Sequence, residues 1–517
     1  MATIKTSASH PLRIDLVALK PLGGTIGLTF CPGKKHYGTY EGQWDRDLDA
    51  DLAVIRQYGA EALVTLMEEA ELPRVHVSPA LLGSKVAELG LEWHLLPIRD
   101  QAIPDGSFED LWTYSGPRLR EHLRLGKKIA IHCLGGLGRT GTVAARLLIE
   151  LGEPPETAIN SVRRARPGSI ENSAQENYVR RCRPVVAEER HERALACLLG
   201  GALGDAFGYT VEFSSVADIR RRFGPKGIAD AVLLDGKFLV SDDTQMTLFT
   251  LEGLLHTLEG SSTPALESIR LAYLEWLQTQ RGNQRSKAAP QCGWLMRQSV
   301  MQADRAPGNT CLSALRAGGR GMIGKPINDS KGCGGVMRVA PIGLVKQFAP
   351  EEAFRLAAEV AALTHGHVSG YLSAAMMAAI LRHLMDVKDI HGAIESSLAI
   401  LATYRGHEET TAAVRNAQTA VRAKSENHPA AIQALGGGWV GEEALAIAIY
   451  SVLSADTFLD AVRIASNHSG DSDSTASIAG QLWGAAEGLT CMPHRWVTTL
   501  DVRIPVFHLA RQLIPFV

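Results

Sequence analysis

The chain has 517 residues, 45% hydrophobic and 21% charged, an ordinary globular composition with length enough for two or three folding units. Lys+Arg 53 against Asp+Glu 55 leaves a net charge of -2, so no general field favours nucleic acid or an anionic membrane, and any anion binding must be local. The eight cysteines form no C-x-x-C pair, and neither a secretory h-region nor a run of about 18 apolar residues is present. The expectation is a reducing, cytoplasmic setting without a membrane.

Up to about residue 182, short apolar runs (EALVTLM, LEWHLLPI, KKIAIH) alternate with helical periodicity (DLDADLAVIRQYG, GTVAARLLIELG). That pattern predicts an α/β domain with a central, mostly parallel sheet. RPVVAEERHER, Arg183 to Arg193, is polar and reads as a linker running into a new helix. From Ala194 the apolar stretches are long and alanine-rich (RALACLLGGALGDAF, LSAAMMAAILRHLM, EEALAIAIYSVLSA), which predicts an all-α domain. The expected boundaries are 1–185 and 194–517, with 186–193 between them.

KKIAIH, Lys127 to His132, reads as a buried strand and RTGTVAARLLIELG as a helix starting near Arg139, which puts CLGGLG at a helix N-terminus. Such a position binds anions through free N–H groups and the helix dipole, and the same field favours a thiolate. Gly135, Gly136 and Gly138 let the backbone approach a ligand closely. Arg139 can hold two phosphate oxygens in its planar fork, so Cys133 is set for in-line attack on phosphorus, giving a phosphocysteine that water hydrolyses. GLGRTG also fits a dinucleotide-binding turn, but the acidic residue wanted about 20 positions on is missing from NSVRRARPG.

HCLGGLGRTG resembles the H-C-x5-R-[ST]-G signature of cysteine-dependent tyrosine and dual-specificity phosphatases. GLTFCPG, LLPIRDQAIPD and RPGSIENSAQENYV look most like the kinase-associated phosphatase branch. The resemblance implies Cys133 as nucleophile, Arg139 as phosphate clamp, Thr140 as stabiliser of the leaving thiolate and His132 as support of the loop. It implies Asp100 as general acid, with Asp105 the near alternative, and Gln175 as positioner of the hydrolytic water. No cofactor is implied for this domain.

In the second domain, SDDTQMTLFTLEGLL from Ser241 and GDSDSTASIAGQLWGAA from Gly470 each put acids and hydroxyls at the head of an apolar helix. N-capping explains either one alone. Two such clusters of hard oxygen donors, more than 200 residues apart, point to a shared magnesium or manganese site. An EF-hand is excluded, because the twelfth position counted from Asp471 is Leu482 rather than Glu. Residues 190–517 resemble the ADP-ribosylglycohydrolases through LLGGALGDAFGYTVE, SDDTQM, GNTCLSAL, SKGCGGVMRVAPIG, ALTHGH and SGDSDSTASIAGQLWGA.

That resemblance implies an all-helical fold with two divalent metal ions, Mg2+ or Mn2+, held by Ser241, Asp242, Asp243, Asp471, Asp473 and Ser474. The family commonly has Thr where Ser241 and Ser474 stand. Glu212 falls on a carboxylate that gates or assists catalysis, and Gly334, Gly335, Met337 and Arg338 lie in a loop cradling ADP-ribose. His365 and His367 read equally as packing or capping residues and as ligand contacts.

The expected function is a fusion of two hydrolases. One cleaves a phosphoester; the other releases ADP-ribose from an ADP-ribosylated protein or small molecule. The rival expectation is one catalytic domain beside a phosphate- or ADP-ribose-binding module.

Overall fold

The computed structural model describes residues 4–20, 22–36, 43–186, 188–280, 293–424 and 427–517, and their contacts divide the chain into two units, Met1–Glu188 and Glu189–Val517. Strands β1 (Asp15–Ala18), β2 (Thr25–Phe30), β3 (Ala60–Thr65), β4 (Glu92–Leu95) and β5 (Lys128–Cys133) form the main sheet of the first unit, in the order β1-β2-β5-β3-β4. Only the β1–β2 pair is antiparallel, so the sheet is mostly parallel, as the alternating sequence pattern predicts. Central β5 is buried from Ile129 to Cys133, and it therefore reads as a continuous apolar run. Its register sets Cys133 against Phe30, and His132 between Thr29 and Thr65.

Helix α1 (Gly106–Arg124) precedes β5 and helix α2 (Gly138–Glu150) leaves it, with every residue of α2 buried. Helix α3 (Ser173–Arg181), capped by Asn172, packs against α2. The strand–loop–helix unit that carries the cysteine is thus held on several sides by the core of the unit.

The segment expected as a linker is largely helical. Helix α4 (Glu188–Tyr209) begins inside 186–193, while Ala187 lies outside the described residues. The reason is that Glu and Arg are good helix formers and that Arg193 is anchored, its Nε donating to the Ala485 carbonyl at 2.6 Å. The second unit also contains α5 (Asp242–Leu258), α6 (Val368–Val387), α7 (Gly441–Leu453) and α8 (Ser472–Glu487), and among the described residues it has no named strand. The sequence holds no unbroken run of about 18 apolar residues. Helix α6 is nevertheless long and apolar enough to cross one, and 83% of its most apolar window is buried. It packs against α7 and α8 as a core helix.

Helices α4 and α8 meet backbone to backbone. A Cβ at Gly200, Gly204 or Gly208 would lie 2.2, 2.0 or 2.1 Å from the carbonyl oxygens of Gly480, Ala476 and Ser472. This close approach brings Asp205 and the residues after α4 to the head of α8. Gly204→Ala must push the helices apart, and we expect a loss of roughly 1–3 kcal/mol in denaturant-monitored stability. An unchanged unfolding midpoint would contradict that packing.

Candidate active sites

Cys133 ends β5 and is 4% exposed, and the Gly136 N–H donates to its Sγ at 3.3 Å. Gly136 is required there: its φ is +75°, and a Cβ would sit 2.2 Å from the Thr29 carbonyl oxygen. Gly135 is open on its Cβ side, and its carbonyl accepts from Arg166 at 2.9 Å. Gly138 opens α2 beside Gln175, whose side chain would be 3.0 Å from a Cβ added at Gly138. Gln175 is fully buried, accepts from the Glu171 N–H at 2.9 Å and donates to the Ala102 carbonyl at 3.3 Å.

Arg139, 2% exposed, points its guanidinium at acidic groups from elsewhere in the unit. Its two terminal nitrogens donate to the two carboxylate oxygens of Glu71 at 2.6 and 2.8 Å, and one also donates to the Ile98 carbonyl at 3.1 Å. Asp100 Oδ1 stands 3.0 Å from the same guanidinium, with its side chain 64% exposed. Asp105 has a different task, capping α1 by accepting from the Phe108 N–H at 3.0 Å. The Thr140 hydroxyl is buried and has no hydrogen-bond partner among the described residues. His132 pairs with Thr65 Oγ1 at 2.8 Å, and full burial pushes its imidazole down to about 4, so it is neutral.

In the second unit the heads of α5 and α8 pack together. Ser241 caps α5 and Asp471 caps α8, accepting from Asp243 N–H at 3.2 Å and Ser474 N–H at 3.3 Å. Asp205, fully buried on α4, ties α5 in place by accepting from the N–H groups of Ser241 at 2.8 Å and Thr244 at 3.0 Å. Capping leaves oxygens over. Asp243 Oδ2 and Glu212 Oε2 are buried without partners among the described residues, and Asp242 has one long contact, 3.4 Å from the Gly308 N–H.

Burial first, and then the charge of Asp473, push Asp242, Asp243 and Asp471 well above the ordinary carboxylate range. The same two causes raise Asp205 to about 7 and Glu212 to about 10. Crowded buried carboxylates with unused oxygens are costly alone and are relieved by a hard cation, so the donor set fits a divalent metal. Because the folded-state values of Asp205 and Glu212 are raised, their contribution to stability is present below the ordinary carboxyl range and lost as pH rises through about 7 and about 10. The melting temperature of the metal-free protein is therefore expected to fall between about pH 5 and about pH 8, and added magnesium to shrink the fall. A flat profile without metal would show that these groups are not crowded.

The loop after α5 and before α6 divides its expected residues. Gly334 and Gly335 lie in the short turn Cys333–Gly335, where a Cβ at Gly334 would meet Cys311 Sγ at 2.9 Å and His365 at 3.0 Å. The Met337 carbonyl accepts from Gln481 at 3.0 Å, and its Sδ lies 4.0 Å from Ser474 Oγ. Arg338 is fully buried, donating to Thr364 Oγ1 at 2.6 Å and stacked 4.5 Å over Tyr273, so it underpins the loop from the core. His365 is buried against Thr364, and His367 caps α6 by accepting from the Ser369 N–H at 3.2 Å.

Sequence reasoning misses Glu71, which grips Arg139 from 68 residues away, and Cys333, whose Sγ lies 2.7 Å from Asp471 Oδ2. It also misses Phe213, 71% exposed at φ +61° next to Glu212, which stacks on Trp439 at 5.5 Å. Glu71 and Trp439 stand outside any motif. Phe213 follows the motif that ends at Glu212, and Cys333 lies within SKGCGGVMRVAPIG, but only their placement marks a role for either.

A family model for ADP-ribosylglycohydrolase matches residues 187–515, and one described as Swiss Army Knife protein, DSP-PTPase phosphatase domain, matches 45–179. The ADP-ribosyl-[dinitrogen reductase] glycohydrolase of Rhodospirillum rubrum is 23% identical over 322 residues, 61% of this chain and 92% of its own. The ADP-ribosylarginine hydrolase Tri1 of Pseudomonas putida is 25% identical over 63% of this chain and 79% of its own. Cyclin-dependent kinase inhibitor 3 of Rattus norvegicus is 32% identical over 183 residues, 34% of this chain and 81% of its own. Both resemblances read from the sequence motifs are thereby borne out, as is the pairing of an α/β phosphatase fold with a helical domain. The chain belongs to the ADP-ribosylglycohydrolase family through its second unit, joined to a phosphatase domain of the DSP-PTPase type in its first.

Proposed function

We propose that the chain is a bifunctional hydrolase that cleaves a phosphoester in its first unit and an ADP-ribosyl glycosidic bond in its second. The observation that carries this is the convergence of Asp205, Glu212, Asp242, Asp243, Asp471 and Asp473 in a chain whose other unit sets Cys133 and Arg139 on one turn.

In the first unit Cys133 Sγ attacks phosphorus while the loop N–H groups and Arg139 hold the non-bridging oxygens. The P–O bond breaks as the S–P bond forms, and Asp100, beside Arg139 and open to solvent, protonates the leaving oxygen. Gln175 positions the water that displaces the thiolate, and the unpartnered Thr140 hydroxyl hydrogen-bonds that thiolate. Glu71 is a positioning residue that keeps the Arg139 fork aimed across the loop. A cysteine nucleophile must stay reduced, which supports a cytoplasmic setting.

In the second unit Ser241, Asp242, Asp243, Asp471, Asp473 and Ser474 would hold two divalent ions, magnesium or manganese. Such ions supply Lewis-acid anchoring of the ribose hydroxyls and an activated water. Glu212, with a buried free oxygen, holds a proton beside the reacting centre, and the N–H groups of Gly334 and Gly335 approach the diphosphate together with Met337. The products are free ADP-ribose and the unmodified acceptor. Arginine is the acceptor we favour, supported by the activity in the name of the Pseudomonas relative. Assaying both releases with and without a chelator tests this reading. ADP-ribose release should stop and phosphate release continue. Chelator-resistant ADP-ribose release would exclude the metal reading, and absence of phosphate release would leave the first unit a phosphate-binding module.

A further inference from the structure

The loop that carries Cys133 is held by two cations from outside the HCLGGLGRTG signature. Arg166, directly after the helix Pro155–Ala165, has a side chain 13% exposed and donates through one Nη to the Gly135 carbonyl at 2.9 Å. Its other Nη donates to Asp15 Oδ2 on β1 at 2.7 Å, and Asp15 in turn accepts from Arg13 Nε at 2.6 Å. The preceding carbonyl, that of Leu134, accepts from the Cys31 N–H at 3.3 Å and from Lys34 Nζ at 3.4 Å, and Lys34 is 4% exposed. Two successive loop carbonyls are thus tied down by neighbouring parts of the unit.

The peptide between Gly135 and Gly136 is where this matters. A trans peptide is a rigid plane whose C=O and N–H point in opposite directions, so anchoring the Gly135 carbonyl fixes where the Gly136 N–H points. That N–H donates to Cys133 Sγ at 3.3 Å. Glycine on both sides leaves the plane free to turn, because neither residue carries a side chain that favours one orientation. A turned plane would present the negative end of its dipole to the sulfur in place of a donor.

We propose that Arg166, steered by Asp15, is a positioning residue that locks the Gly135–Gly136 peptide, so that its N–H favours the Cys133 thiolate. The proposal rests on the reading of Cys133 as the nucleophile. The guanidinium acts through the peptide: bonded to the carbonyl, its charge polarises the amide and strengthens the N–H bond to sulfur. Its planar fork bridges Asp15 and Gly135 at once, a geometry that a single ammonium does not reproduce.

The test compares the full wild-type chain with Arg166→Ala, Arg166→Lys and Asp15→Asn. The rate at which iodoacetamide alkylates Cys133, read by mass spectrometry on its proteolytic peptide, is followed against pH. The pH profile of kcat/KM for p-nitrophenyl phosphate is recorded beside it, and each protein is melted. In Arg166→Ala the alkylation midpoint and the acid limb of the kcat/KM profile should both move up by about one pH unit, with activity about tenfold lower below the midpoint and recovering above it. Asp15→Asn should move both in the same direction by less, and Arg166→Lys should fall between the alanine variant and the wild type. A merely structural role would lower activity equally at every pH. An unmoved alkylation midpoint in Arg166→Ala that melts cooperatively overturns the proposal. If that variant does not melt cooperatively, an unmoved midpoint in Asp15→Asn does so. A wild type that leaves the aryl phosphate intact, while the midpoint still shifts in the variants, overturns the phosphatase reading and leaves the positioning of the thiolate standing.

Discussion

Cys133→Ser is expected to lower phosphate release by about 10^4-fold or more, since a serine hydroxyl at this site has no base poised to activate it. The loop itself should survive, because the Gly136 backbone and the β5 register shape it, and a serine Oγ can still accept from the Gly136 N–H that donates to the sulfur. Phosphate-analogue binding is therefore expected to persist in the variant, measured by protection against thermal unfolding. ADP-ribose release should be unchanged, because the carboxylate cluster lies wholly within the other unit. Loss of both activities together would mean that the two units do not work independently.

Asp243→Ala is expected to act in opposite directions on activity and stability. Removing an oxygen ligand from the proposed metal site should cut ADP-ribose release by about 10^3-fold, the scale of several kcal/mol of lost electrostatic stabilisation. The same change removes one of several buried carboxylates that repel one another, and Asp243 Oδ2 has no compensating hydrogen bond among the described residues. The metal-free variant should therefore melt above the metal-free wild type, while its gain on adding magnesium largely disappears. A variant that melts lower without metal would show that Asp243 stabilises the fold through contacts of its own.

Local chemistry was legible in the sequence wherever neighbours in the chain are neighbours in space. The strand–loop–helix around Cys133 and the capped heads of α5 and α8 follow from strand patterning, glycines and capping residues read over a few positions. What stayed hidden was set by long-range packing. Glu71 meets Arg139 because β3 lies beside β5 in the sheet order, and nothing in the residues around Glu71 encodes that adjacency. The meeting of Asp205 with the α5 and α8 heads depends on glycines of α4 lying against α8, a small-residue stripe that names no partner by itself. Arg338 sits in a loop motif yet turns into the core, where Thr364 and Tyr273 decide its orientation. The segment 186–193 reads as a linker by polarity, yet a helix begins at Glu188, with Arg193 anchored in the core.

The most direct measurement is free ADP-ribose released from an arginine-linked ADP-ribosyl peptide in the presence of magnesium, for the wild type beside Asp473→Ala. Release by the wild type and its loss in the variant is the predicted result. Equal release by both proteins, or none by a wild type that binds magnesium, would contradict the assignment of this cluster as the centre that cleaves the glycosidic bond.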